Sequence, residues 1–339
     1  MRPVSTPILN KEFVVNLQRR TFCAASAAAV GLPFIASSSW AQPARWPNKA
    51  IRFISPYPPG GLSDQIARFI AEGVSKELGQ PVIVDNKPGA GAALGTELAA
   101  RATPDGYNFL VAPTAAVVVA PWLRKVKFTA DDFAPVAKLA SSYGLITTQK
   151  NVPWANYQDF VKAAKSAPGK YTFASNGVGS IVHLTGVLLH KQAGIEVVHV
   201  PYKGSMESMN DLIGGRVDVM YDPVTMPRVK DGSLKGLATT TLARNPELPN
   251  LPTLKELGFD IDTRSWFGLF APKGTPPEIV ARMSEAAQKT MNAPGARQQL
   301  LLSALFPDFE NHETFSRRVR EDNVFFRELI QKEGIQAEN

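Results

Sequence analysis

Ser180, His183 and Asp222 supply the three side-chain types of a hydrolase triad, and His183, His190, His199 and His312 are the natural candidates for a metal. Neither set has suitable spacing. No G-x-S-x-G elbow surrounds Ser180, and a serine and a histidine three residues apart on one helix are poorly placed for nucleophilic attack. The histidines form no H-x-x-x-H pair; His183 and His190 would share a helix face, but seven residues apart they cannot clasp one ion. What remains is main-chain chemistry. In "SPYPPGGLSDQIARF" (55–69) and "SNGVGSIVH" (175–183), glycines turn a strand into a helix start. Such turns leave N–H groups without carbonyl partners, with the positive end of a helix dipole behind them, and so attract an anion. The first turn offers Gly60, Gly61, Leu62 and Ser63, with Tyr57, Pro58 and Pro59 on its approach. The second offers Asn176, Gly177, Val178, Gly179 and Ser180, beside the hydroxyls of Ser175 and Ser180. Asp64 reads as a helix cap or loop brace, since a carboxylate repels an anion. His183, one turn into its helix, suits bracing and ligand contact equally.

Magnitudes bear on this chemistry. A hydrogen bond to a charged group contributes about 1.5–3 kcal/mol and a helix terminus roughly 0.3–2. A micromolar complex needs a net of about 8 kcal/mol. Two cradles could reach that for an acid with two carboxylates; one could not.

The elements that must position these turns alternate in type. "IRFIS" (51–55), "PVIVDN" (81–86) and "YNFLVA" (107–112) have strand character, and 63–78 and 91–102 have helical spacing. The second half repeats the plan: strands at 171–175, 196–202 and 217–222, helices at 180–193 and 205–214. The pattern predicts an α/β protein of two lobes with largely parallel sheets, the two turns facing each other across a cleft. "GLITTQ" (144–149) should leave the first lobe and "SWFGLFAP" (265–272) return to it, making a hinge. Lobe I is then expected at 42–145 and 266–339, lobe II at 146–265. "GAGAALG" (89–95) imitates a dinucleotide fingerprint, but its third glycine falls one place late and no acidic residue ends the next strand. Helix packing explains it better, and no cofactor is expected.

The chain has 339 residues, 44% hydrophobic and 20% charged, ordinary for a globular protein. Residues 1–41 have the layout of an export signal, with a basic start, an Ala-rich stretch and Ser39-Trp40-Ala41 at the end. Arg19-Arg20 suits the twin-arginine (Tat) route, the general secretory (Sec) route being the alternative. Cleavage is expected near Ala41, which removes the lone Cys23 and leaves a chain without disulfides. No later run is long and apolar enough to span a membrane. The formal charge of +7 includes Arg2, Lys11, Arg19 and Arg20 against Glu12 in the leader, leaving about +4 without a basic tract. Arg317, Arg318 and Arg320, followed by Glu321 and Asp322, read as a solvated helix face, so no nucleic-acid partner is expected.

Seven segments together carry a family resemblance: "YPPGGLSDQIAR", "GQPVIVDNKPGAGAALG", "TPDGYNFLVAPT", "YTFASNGVGSIVHLTG", "HVPYKG", "GGRVDV" and "GLFAPKGTP". In this order they resemble the substrate-binding proteins of tripartite tricarboxylate transporters, the Bug (TctC-like) family, from about Trp46 to the C-terminus. The resemblance implies a periplasmic, two-lobed "Venus flytrap" of the type II-like kind, each lobe a mixed sheet flanked by helices, joined by two hinge strands. It implies a receptor, not an enzyme, that passes a small organic acid to membrane permease subunits. By the same resemblance, the loops at Tyr57–Asp64 and Ser175–His183 hold a ligand carboxylate, partly through ordered water. Thr114 lies near the cleft, and Asp222 tunes preference for an amino or hydroxyl group. Tyr202, with Ser141, Ser142 and Tyr143, is a further candidate for specificity. "TAAVVVAPWL" (114–123) is more apolar than the family's usual Asn-Pro, which points away from citrate toward a longer or aromatic dicarboxylate. A monomer is the default. A sensor that touches a membrane kinase would use the same pocket and remains the rival reading.

Overall fold

The computed structural model describes residues 46–241, 244–261 and 265–335. The expected leader, its cleavage point near Ala41 and Cys23 lie outside these residues. In chain order the first elements are β1 (Ile51–Ser55), α1 (Leu62–Leu78), β2 (Val82–Asn86), α2 (Ala93–Ala100) and β3 (Asn108–Pro113). They are followed by α3 (Ala120–Leu123), β4 (Phe133–Ser141), β5 (Leu145–Gln149), α4 (Tyr157–Ser166), β6 (Thr172–Ser175) and α5 (Ile181–Ala193). Then come β7 (Val198–Pro201), α6 (Ser205–Ile213), β8 (Val219–Met220), α7 (Met226–Lys230) and β9 (Leu234–Thr239). The chain closes with β10 (Trp266–Pro272), α8 (Pro277–Met291), α9 (Ala296–Leu302), β11 (Phe306–Glu310) and α10 (His312–Glu333).

Two mixed sheets result. The first has the order β11-β4-β10-β3-β1-β2 and the second β7-β6-β8-β5-β9. β1 runs parallel to β2 and β3, and β6 runs parallel to β7 and β8; β10 and β5 lie antiparallel to their neighbours. Each sheet carries helices, as the two-lobed α/β expectation has it, but the sheets are not largely parallel: β4, β5, β9, β10 and β11 pair only antiparallel. α1 shows why its residues make a helix on a sheet: Ile66, Ala67, Ile70, Ala71 and Val74 recur on one face and are buried, and Gly79 ends it in the left-handed region. α10 returns after β11 and lays Phe315, Val319, Phe326 and Ile330 into the same lobe's core. In the second lobe, Phe160, Phe173, Leu189 and Val219 form the corresponding core.

The chain crosses between sheets after β4, through Ser142–Gly144 into β5, and returns into β10. The crossings are tied together: Ser142 N–H donates to the Ser265 carbonyl at 3.1 Å, and the two hydroxyls lie 2.8 Å apart. The strand expected at 217–222 is short, Val219–Met220. The Asp222 carboxylate accepts the Val224 N–H at 2.9 Å and turns the chain into a 3-10 turn instead. "GAGAALG" packs α2 against the first turn: a side chain at Gly95 would stand 2.8 Å from the Pro56 Cα. The apolar run after Thr114 forms a π turn, Ala115–Val119, that leads into α3 and is wholly buried.

Candidate ligand-binding site

A cavity of about 220 Å³ lies at the carboxyl ends of β1, β3, β6 and β8, where open α/β sheets place their ligands. The β1–α1 turn supplies Tyr57, Pro58, Pro59, Gly61, Leu62 and Ser63; the start of α5 supplies Asn176, Ser180, Ile181, Val182 and Thr185. Gly204–Glu207 at the start of α6, Tyr221–Pro223 after β8, Ser142 and Ser265 of the crossings, and Phe267 complete most of the wall. Among the described residues that line it there is no lysine, arginine or histidine; the charged side chains are Asp222 and Glu207.

In the first turn, the Gly60 N–H is already used, donating to Asp64 Oδ2 at 3.0 Å. The next three N–H groups, of Gly61, Leu62 and Ser63, precede the first helical hydrogen bonds and have no acceptor among the described residues. All three residues line the cavity. Asp64 braces the turn and does not line the cavity: its carboxylate also accepts from Arg68 Nε at 2.9 Å and Asn86 Nδ2 at 2.9 Å. Burial opposes its charge, but the bonds from Arg68, Gly60 and Asn86 outweigh that and hold the carboxyl below its ordinary range.

The second turn differs from expectation in which amides it offers. Gly177 N–H donates to Ser175 Oγ at 3.2 Å, Gly179 N–H to His183 Nδ1 at 3.1 Å, and Ser180 N–H to the Gly177 carbonyl at 3.1 Å. Ser180 Oγ caps the helix by accepting the His183 N–H at 3.1 Å. Among the described residues, the amides without an acceptor are those of Asn176 and Val178 and, one step later, of Ile181 and Val182, the first two of α5. Glycine spacing drew attention to Gly177 and Gly179, whereas the cap at Ser180 marks the donors at the start of α5.

Of the other expected residues, Tyr57, Pro59, Asn176 and Asp222 reach the cavity, while Gly60, Thr114, Ser175, Gly177, Gly179, His183 and Tyr202 stand behind its wall. Thr114 Oγ1 bonds both the N–H (2.9 Å) and the carbonyl (3.2 Å) of Trp266, fixing β10. Tyr202 donates to Asp211 at 2.6 Å. His183 stacks on His199 at 4.2 Å, and Ser175 Oγ lies 2.7 Å from His199 Nε2. Ser180 Oγ and His183 Nδ1 do not bond each other; each accepts a backbone amide and so braces the turn. Among the described residues no group of three His, Cys, Asp or Glu side chains is placed to hold a metal ion.

The acceptors in the wall are deeply buried. Asp222 receives Ser205 Oγ–H at 2.6 Å as well as the Val224 amide, yet burial still pushes its carboxyl above the usual range. Asn176 Oδ1 is buried without a donor among the described residues. Burial pushes the Tyr57 phenol up to about 12, with Arg124 opposing and Asp222 reinforcing the shift. Sequence reasoning missed Gly204–Glu207, although "HVPYKG" followed by a helical run is a third strand–turn–helix of the same kind. It also missed Tyr221 and Phe267, which nothing distinguishes from core residues in sequence.

The sequence profile of the family described as "Tripartite tricarboxylate transporter family receptor" matches residues 66–335. The chain belongs to that family. A relative from Pseudomonas sp. strain P51, the UPF0065 protein in the tcbD-tcbE intergenic region, is 38% identical over 281 residues, 80% of this chain and 83% of its own. Among solved structures, the periplasmic binding protein BugD is 30% identical with a TM-score of 0.81, covering 86% of this chain and all of its own. Rpa4515 of R. palustris, solved with adipate, is 29% identical with a TM-score of 0.82, covering 86% of this chain and 99% of its own. The family and these structural neighbours are receptors and binding proteins rather than enzymes.

Proposed function

We propose that this receptor-family chain is exported to the periplasm and binds a small carboxylate between lobes I (42–145 and 266–339) and II (146–265). It then presents the ligand to the permease of a tripartite tricarboxylate transporter. The observation that carries the reading is the group of unbonded amides at Gly61, Leu62 and Ser63, which line one cavity with those of Ile181 and Val182. Each set is the N-terminus of a helix, so each supplies donors and a favourable dipole without a cationic side chain. The first set binds one carboxylate; the second, on the opposite lobe, binds the far end of the ligand and draws the lobes together. Closure follows because only the closed form offers both sets at once.

The walls define the ligand further. Phe267, Ile181, Val182, Met206 and four prolines favour an apolar middle, as an aliphatic or aromatic dicarboxylate would have. Adipate, the ligand of the R. palustris neighbour, has that character. Citrate would add carboxylates beside Asp222 and Glu207 with no cation to balance them. The test is calorimetric titration of the exported chain with adipate, pimelate, phthalate and citrate. Binding of an apolar diacid, lost in Gly61→Val, supports the proposal; binding of none of these, or unchanged affinity in the variant, overturns it.

A further inference from the structure

We propose that Arg124 is a positioning residue for ligand binding: a latch that crosses from the first lobe to the second cradle and sets how much of the receptor is closed. Arg124 follows α3 in the first lobe and does not line the cavity. One arm of its guanidinium, Nη1, donates to the Ala90 carbonyl of its own lobe at 2.6 Å. The other, Nη2, donates to the Val178 carbonyl in the β6–α5 turn of the opposite lobe. Opening the cleft must break the second bond and keep the first. A planar guanidinium held by one carbonyl is already oriented for the other, so little side-chain freedom is lost on closing.

The surroundings are shaped for this side chain. Gly89, Ala90, Gly91 and Ala92 all have positive φ, at 140°, 49°, 59° and 75°. For the two alanines that backbone is unfavourable and must be held by its setting. A Cβ on Gly91 would fall 2.1 Å from Arg124 Nη1, so only glycine leaves the arginine its place. On the far side, a Cβ on Gly179 would stand 3.2 Å from Nη2, and one on Gly177 would stand 3.9 Å from the Gly91 Cα. The two loops therefore meet glycine to glycine, with Arg124 beside them. This gives "GAGAALG" a second use besides packing α2. It also gives Gly177 and Gly179 a use besides bracing their own turn.

The inference rests on the receptor reading for its purpose, but its test needs no ligand. Spin labels on Glu72→Cys and Lys162→Cys, one per lobe and both exposed, would report the interlobe distance by pulsed electron resonance in the ligand-free chain. Arg124→Ala, and separately Gly91→Ala, should shift the distribution to longer distances, the closed fraction falling on the order of tenfold. Arg124→Gln should do the same, and Arg124→Lys, which keeps the charge without the fork, should fall between. With adipate as probe, the same variants should release it faster with little change in association rate. Wild-type distance distributions in the variants that fold would overturn the latch, whether or not adipate binds. Absence of adipate binding with shifted distances would instead count against the receptor's ligand assignment and leave the latch standing.

Discussion

Gly61 and Gly179 stand in corresponding turns but would respond differently to a side chain. Gly61 is in extended backbone, with φ −75° and ψ 170°, and the nearest atom to an added Cβ is the Pro58 carbonyl oxygen at 3.9 Å. Valine prefers that backbone, so Gly61→Val should fold with a melting temperature near wild type while its branched side chain crowds the cavity. Titration calorimetry should find affinity for a diacid reduced on the order of a hundredfold, the equivalent of losing about two charged hydrogen bonds at the low end of their range. Gly179 has φ +76° and lies 3.0 Å, as Cβ, from Leu123. Gly179→Val should therefore destabilise the fold by about 2 kcal/mol or more in urea, so a loss of binding there would not report on the cradle alone. The first cradle was legible because consecutive glycines before a helix leave donors free in few other ways. The second was legible only as a region. Which amides stay free depends on Ser175 Oγ and His183 Nδ1 accepting those of Gly177 and Gly179, and side-chain acceptance of that kind has no signature in spacing.

Elements set where charge is tolerated. β6, β7 and α5 bury His190 and His199 around Phe173, and burial takes their imidazoles down to about 3 and about 4. The folded chain then binds fewer protons than the unfolded chain, whose histidines titrate near 6.5. The associated stability is fully present above that value and is lost as pH falls toward about 4 for His199 and about 3 for His190. Urea unfolding should show stability dropping across this window, and His190→Gln should flatten the dependence; an unchanged profile would contradict it. Asp222 works in the opposite direction. Its carboxyl is raised by burial, so its contribution is full below its ordinary value of 3.8 and is lost as pH rises through its folded value. In the first lobe, β4 buries Lys138 against Asp308 at 2.5 Å and Glu310 at 3.4 Å on β11. Lys138→Met should cost about 2 kcal/mol by chemical denaturation, below the range for a fully buried pair because Asp308 is half-exposed. The parallel core strands were legible in sequence, since β1, β3 and β6 are short apolar runs between turns. β4 and β11 were not: Lys138 in one and alternating Asp308 and Glu310 in the other look like surface until the sheet pairs them.

At the scale of the whole molecule, the proposed function makes affinity a joint property of two helix starts, one on each lobe. A ligand gains from the second cradle only if its length carries the far carboxylate across the apolar middle. A series of straight-chain α,ω-diacids should therefore behave unlike a series of more polar acids. Each added methylene that enters the cavity removes apolar surface from water and contributes about 0.8 kcal/mol. Stabilisation of the folded chain should grow with chain length until the far carboxylate reaches Ile181 and Val182, then fall when the chain must buckle. Thermal shifts report this directly, because a ligand that binds only the folded form stabilises it by RT ln(1 + [L]/Kd), about 2.7 kcal/mol at a hundredfold excess over Kd. Citrate should give no shift, since its carboxylates would crowd Asp222 and Glu207 where no cation lines the wall. Monoamides should fall below their diacids, as a neutral end forfeits the charge-assisted bonds. A flat response to length, or a citrate shift equal to that of adipate, would mean that the apolar middle does not select the ligand.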